Sequence, residues 1–304
     1  MRVRALRSSF AALLLGLALA SPAAAGPWTL AKGENATSFW GDFASSDTYH
    51  NENGDRRTLG GGGLIEERGI TWQGEFGWKR KLSILYSIPF VSSSRRLGGG
   101  DRPPYVPSAT GFGDAHFALK YGIKNGRTGA AVELNWKAPL GYERAPTYFS
   151  DDSTDINIAE QSANPKLGEG QQDVTALLHV GTSFGSRTFV QAAGGYTYRF
   201  EAPADMIVMS ADVGFWVTGP FLIGGQYRGQ IAMEGANPTR DTDRHLVGPV
   251  LLYRVDDRLD MFATSLHTAS AKNAVHTDAI YVGMSFKQTK LDRLQGYLGT
   301  MKQP

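Results

Sequence analysis

The stretch Thr110–Ile123 reads TGFGDAHFALKYGI, and its parity decides how the whole chain is read. Asp114, His116 and Lys120 fall on one parity, while Ala115, Phe117, Leu119, Tyr121 and Ile123 fall on the other. In an extended strand successive side chains point to opposite faces, so the ionisable groups point one way and the apolar groups the other. An active site and the watery side of a wall both produce that pattern. How often it recurs decides between them.

It recurs through nearly all of the chain beyond the first residues. Leu82, Ile84, Tyr86, Ile88 and Phe90 form one apolar row, and Ala130, Val132, Leu134 and Trp136 form another with Glu133, Asn135 and Lys137 between them. Val174 to Val180, Ile207 to Phe215, Phe221 to Tyr227 and Ile280 to Phe286 repeat it. These period-two segments run about nine to thirteen residues, the length of a strand tilted through a bilayer. The pattern predicts about twelve strands, near 35–46, 63–76, 81–92, 111–123, 128–140, 171–184, 187–200, 205–217, 221–233, 243–254, 259–269 and 275–287. Arg68, Pro249 and the Met261/Phe262 pair blur the facing of three of them.

The links between strands alternate long and short: DTYHNENGDRRTLGGGG then GWKRK, SSSRRLGGGDRPPYVPSA then KNGR, and a long stretch from Gly141 to Gly170 then FGSR. A closed antiparallel barrel puts alternate links on the same rim, and outer-membrane barrels carry short periplasmic turns and longer external loops. A soluble sandwich has no reason to sort its loops so. Lipid offers no partner to an unpaired amide, so strands cross it only as a closed sheet. The fold class expected is therefore all-β, a closed antiparallel transmembrane barrel with both ends of the chain on the periplasmic side. Trp28, Trp40, Trp72, Trp78, Trp136, Tyr142, Trp216, Phe221, Tyr253 and Phe286, near strand ends, are expected in its interfacial girdles.

The ends of the chain supply the address. Arg2, Arg4 and Arg7 precede an apolar run from Phe10 to Ala20 and the small-residue stretch Ser21 to Ala25, the three parts of a secretory signal peptide cut after Ala25. The expected division is 1–25 leader, 26–287 barrel and 288–304 periplasmic tail, and the expected location is the bacterial outer membrane. Removing the leader's three arginines takes the 31 Lys+Arg to 28 against 29 Asp+Glu, so the +2 of the full chain reflects targeting. No concentrated basic stripe points to nucleic acid. The absence of cysteine excludes disulfides, thiolate metal sites and a lipidated cysteine.

The opening GPWTLAKGENATSFWGDFASSD, the stretch TGFGDAHFALKYGI, the segment GEGQQDVTALLHVGTSFG and the closing DAIYVGMSF resemble the family of outer-membrane barrels labelled "MetA-pathway of phenol degradation", described as transporters. The resemblance spans most of the chain beyond residue 25 and implies an exported barrel that passes small molecules, aromatic ones among them. YVGMSF, with Tyr281, Gly283 and Phe286, is also similar to the closing-strand signal that the barrel-assembly machinery recognises. Barrels with that signal usually stop at the aromatic residue, whereas this chain continues through KQTKLDRLQGYLGTMKQP, where Leu291, Leu294 and Leu298 have helical spacing. A short helix and a flexible tail both fit that continuation.

On a barrel the parity of Asp114, His116 and Lys120 faces the lumen, with Glu133, Asn135, Lys137, His179, Gln191, Arg199, Asp212, Gln226, Arg228 and Gln230 on the same face of their strands. Both signs occur, so a salt-bridged watery interior is expected, and polar side chains in a narrow lumen can set which solute passes. Barrels of about eight strands are filled by side chains and those of about sixteen leave a channel; about twelve lies between. The expected partners are outer-membrane lipid, the assembly machinery and a small solute, with no cofactor and no metal.

Two other readings fit the same pattern. A barrel with a closed lumen could serve a structural or surface-binding role. A membrane-embedded phospholipase-like hydrolase would need a serine and a histidine with a third group orienting the histidine. Ser265 and His267 share one face and His179 and Ser183 another, but no orienting partner is evident in sequence, so the expectation is a non-enzyme. DDSTDIN, Asp151 to Asn157, lacks the glycine turn and bidentate glutamate of a calcium loop. The runs at Gly60–Gly63 and Gly98–Gly100 lack the lysine and strand-helix context of a phosphate cradle.

Overall fold

The computed structural model describes residues 26–59, 63–96, 108–140, 167–200, 204–233 and 241–288. The leader, the tail from 289, the acidic stretch 151–157 and most of both glycine runs lie outside the described residues. The barrel strands are β1 (Asn35–Ser46), β2 (Leu64–Lys79), β3 (Leu82–Arg96), β4 (Asp114–Lys124), β5 (Thr128–Pro139), β6 (Asp173–Phe184), β7 (Thr188–Arg199), β8 (Met206–Trp216), β9 (Phe221–Ala232), β10 (Asp243–Arg254), β11 (Leu259–Lys272) and β12 (Asp278–Gln288). Each pairs antiparallel with its chain neighbours, and β1 closes the ring against β12 from Asn35↔Gln288 to Ala44↔Ala279. The twelve barrel strands as described form a ring in which each has a partner on both sides, which is the condition for crossing lipid. Among the described residues no helix is long and apolar enough to cross a membrane.

The predicted strands are all present, with two differences at their ends. The strand expected over 111–123 is interrupted at Gly113, whose N–H donates to Pro89 O at 3.0 Å. Before that break a short strand, Ser108–Phe112, prolongs the line of β4 along β3. The last strand begins at Asp278, because Ala274–Val275 pairs instead with Thr48–His50 and, through it, Arg56–Thr58. That three-stranded patch sits at the long-loop rim. The opposite rim carries the tight turns, including Gly185 at φ 63°, a left-handed conformation that glycine adopts without steric cost.

The molecule is apolar outside and polar inside. Phe117, Leu119, Tyr121 and Ile123 of β4 and Val132, Leu134 and Trp136 of β5 are exposed, whereas Lys120, Glu133, Asn135 and Lys137 are buried. Ala115, next to the break at Gly113, departs from its row and is fully enclosed. The interrupted stretch of β10 is resolved as well: Val247, Leu251 and Tyr253 face out and Leu246, Val250 and Leu252 face in.

Candidate functional site: the lumen

Every lumen position expected from parity lies on the inner face. Asp114, Lys120, Glu133, Asn135, Lys137, His179, Gln191, Arg199, Asp212, Gln226 and Arg228 are buried; His116 and Gln230 are half-buried. Of the closing-strand residues, Tyr281 is buried inside, Gly283 lies on the same side, and Phe286 faces out.

The inner groups find one another across strands. Lys120 Nζ donates to Glu75 Oε2 at 2.7 Å, and the two side chains are 0% and 2% exposed. His179 Nε2 lies 3.2 Å from Glu133 Oε2, and His116 Nδ1 lies 3.2 Å from Asn135 Oδ1. Lys137 pairs with Glu169 and Asp173, and Arg199 Nη2 reaches Glu169 Oε1 at 2.9 Å. On the next wall Gln191 Nε2 donates to Asp212 Oδ2 at 2.9 Å and Arg228 Nη1 to Asp212 Oδ1 at 2.6 Å. A buried charge is tolerated only when paired, and removing one member of such a pair costs about 3–5 kcal/mol.

Two segments outside the barrel strands enter the lumen. At the tight-turn rim Gly26–Lys32 is folded across the opening. Trp28 Nε1 donates to Gly126 O at 2.7 Å, Leu30 N to Glu75 Oε1 at 3.3 Å, Gly33 N to Gly77 O at 2.7 Å, and Lys120 Nζ to Gly26 O at 3.3 Å. Its seat is cut into the wall by small residues: a Cβ on Gly129 would lie 2.8 Å from Trp28 Nε1, and one on Gly181 would lie 2.8 Å from Pro27 Cγ. Toward the long-loop rim, Glu169 reaches inward, its N–H donating to Asp114 Oδ2 at 2.7 Å. Burial alone would push the Glu169 carboxyl up, but Lys137 and Arg199 outweigh it and hold it at about 2, against an ordinary 4.5.

The remaining wall differs in kind. Leu222, Leu252 and Phe262 form a buried cluster on the inner face of β9 to β11, with Trp40, Phe189 and Trp216 packed against it. This corrects the girdle reading for three residues. Trp40 shares the inward parity of Ser38 and Asp42, Trp216 that of Asp212, and Trp28 belongs to the segment that crosses the rim. Proximity to a strand end places an aromatic near an interface but does not say on which side of the wall it points. Sequence reasoning also missed Glu75, whose parity within β2 could have revealed it, and Glu169, which no strand periodicity could have revealed. Among the described residues no cluster of three or more histidine or carboxylate side chains is placed to hold a metal.

No protein-family model matches the chain, and no curated protein matches it. Among solved structures it is similar to an outer membrane channel from Pseudomonas putida F1, at 10% identity over 86% of this chain and 97% of that one, with a TM-score of 0.67. It is also similar to the NanC porin, at 9% identity over 83% of this chain and 100% of that one, with a TM-score of 0.50. At such identities the likeness is one of fold: a closed antiparallel barrel of the outer-membrane kind.

Proposed function

We propose that the protein is a passive conduit of the bacterial outer membrane for small solutes, aromatic or hydrophobic ones among them, exported by a leader cut after Ala25 and inserted by the barrel-assembly machinery. The observation that carries this reading is the two-sided lumen. Charged and amide groups line β2 to β9 and recur at Arg244 and Asp260 on β10 and β11, and an apolar aromatic cluster interrupts them on β9 to β11 near the tight-turn rim. A flat apolar solute bearing a hydroxyl or carboxylate finds a complement on each side, and pockets of mostly apolar lining with a few placed polar groups are the usual form of small-molecule sites. Asp114, His116, Lys120, Glu133, Asn135, Lys137, His179, Asp212, Gln226 and Arg228 are the residues proposed to meet the solute or its water.

Passage requires the segment at Gly26–Lys32 to yield. Both segments are held by side-chain and main-chain hydrogen bonds to the wall, so the resting state is expected to conduct little. That same occlusion favours the second reading, a closed barrel with a structural or surface-binding role. Swelling of proteoliposomes across a panel of charged, neutral and aromatic solutes separates them. The conduit predicts slow permeation by wild type and faster permeation once residues 26–32 are deleted; a closed barrel predicts no permeation by either.

A further inference from the structure

On β11 and β12 the inward residues Leu266 and Ala279 are buried, so Ser265, His267 and Asp278 point outward together. The antiparallel register sets His267 directly opposite Asp278. His267 Nδ1 lies 2.9 Å from Asp278 Oδ1, and its Nε2 lies 3.1 Å from Ser265 Oγ. Both separations fall within the roughly 2.6–3.2 Å that a nucleophile, its base and the base's orienting group require. With Nδ1–H donating a hydrogen bond to the carboxylate, Nε2 is the unprotonated nitrogen and faces the serine hydroxyl, as general-base action demands. A second histidine stands behind the carboxylate. Its Oδ2 lies 3.7 Å from His276 Nε2, and His276 Nδ1 lies 3.0 Å from His50 Nε2 in the three-stranded patch at the long-loop rim.

The site lies on the outside of the wall. The His267 and Asp278 side chains are 52% and 41% exposed, and Val247, which faces His267 across the ladder, is exposed too. Asp278 opens β12 at the long-loop end, where the apolar band gives way to polar surface. Beside Ser265 the ladder to β10 is unpaired between Val247↔His267 and Val250↔Thr264, where Pro249 has no N–H to give. An ester whose acyl chain lay against the outward apolar wall would bring its carbonyl to this margin.

We propose that Ser265, His267 and Asp278 form a lipid-facing acyl-transfer site that hydrolyses a long-chain carboxylic ester. Ser265 Oγ attacks the carbonyl carbon while its proton passes to His267 Nε2. The carbon–oxygen bond to the alcohol then breaks, the alcohol leaves with that proton, and the acyl group stays on Ser265. Water gives its proton to Nε2 and attacks the acyl carbon, and the fatty acid departs as the proton returns to Ser265 Oγ. Asp278 is a positioning residue: it fixes the imidazole and stabilises its cation, with no proton transferred to it. The reaction rests on the outer face meeting lipid and is independent of conduction through the lumen.

The test uses the full mature chain in phospholipid vesicles, treated with a long-chain alkyl fluorophosphonate, with adducts mapped by mass spectrometry and fatty-acid release measured alongside. Wild type is expected to carry an adduct at Ser265 and to release fatty acid from vesicle lipid, and Ser265→Ala to lose both while keeping the heat-sensitive gel migration and solute permeation of wild type. Asp278→Asn is expected to lower the turnover rate by about 10³-fold or more with little change in KM, the scale and split expected when an imidazole loses its orienting carboxylate. Folded wild type without a Ser265 adduct overturns the proposal. Labelling with hydrolysis of only a water-soluble short-chain ester overturns the assignment of a membrane lipid as substrate.

Discussion

Leu119 and Lys120 are neighbours in the chain and face opposite solvents: Leu119 is 48% exposed on the outside of the barrel and Lys120 is 0% exposed within it. In a water-soluble domain their roles would be reversed. On the reading proposed above, the apolar row of the outer face meets lipid and needs no specific partner, so any apolar residue of suitable size serves there. The inner face is a set of mutual obligations, in which Glu75 answers Lys120 and Asp212 answers both Gln191 and Arg228. Substitutions should therefore fail for different reasons on the two faces: inside by orphaning a partner, outside by bringing a charge into hydrocarbon.

The largest effect is expected inside. Lys120→Met leaves Glu75 buried and uncompensated and should cost about 3–5 kcal/mol, read as a lowered urea midpoint for unfolding from vesicles. Pairing it with Glu75→Gln should recover most of that loss, and a double variant as weak as the single would show that the pair is not the unit. Outside, Leu134→Arg should cost about 2–4 kcal/mol if its position is near the membrane midplane, falling toward zero for the same change close to a rim. A depth-independent cost would break the distinction between the faces.

How much of this was legible in sequence follows from the same contrast. Where one parity is charged and the other apolar, as in Ala130–Lys137, period two gives both the strand and its facing. Where both parities are apolar, as in Phe221–Ile223 or Leu246–Leu252, the strand can be read but the lumen lining cannot, and so the aromatic wall around Phe262 was not anticipated. Relations between strands were hidden altogether. Asp278 stands eleven positions from His267, and only the register brings it alongside. The segments that enter the lumen, Gly26–Lys32 and Glu169, have no period to read; the one trace of the first is the small residues Gly129 and Gly181 on inward parity beneath it.

Two smaller effects concern these segments. Gly129→Val places branched carbon where Trp28 now lies, so it should displace the segment, raise permeation and cost about 1–3 kcal/mol; unchanged permeation would mean that the segment does not close the path. Acid should act on the other. Glu169 is held at about 2, below its ordinary 4.5, so its contribution is complete above the ordinary value and is lost as pH falls through about 2. With residues 26–32 deleted, permeation is expected to be flat from pH 5 to pH 8 and to rise only on approach to about pH 2, and adding Glu169→Gln should remove that acid response. A rise between pH 5 and pH 8 would assign the control to another group.

The inversion of inside and outside can be measured directly, because the chain contains no cysteine. Single cysteines placed in turn from Ala130 to Lys137, labelled with bimane and reconstituted into vesicles containing brominated lipid, report which side chains touch hydrocarbon. Quenching is predicted at Val132, Leu134 and Trp136 and absent at Glu133, Asn135 and Lys137. Quenching that is uniform, absent throughout, or strongest at the charged positions would contradict the barrel account.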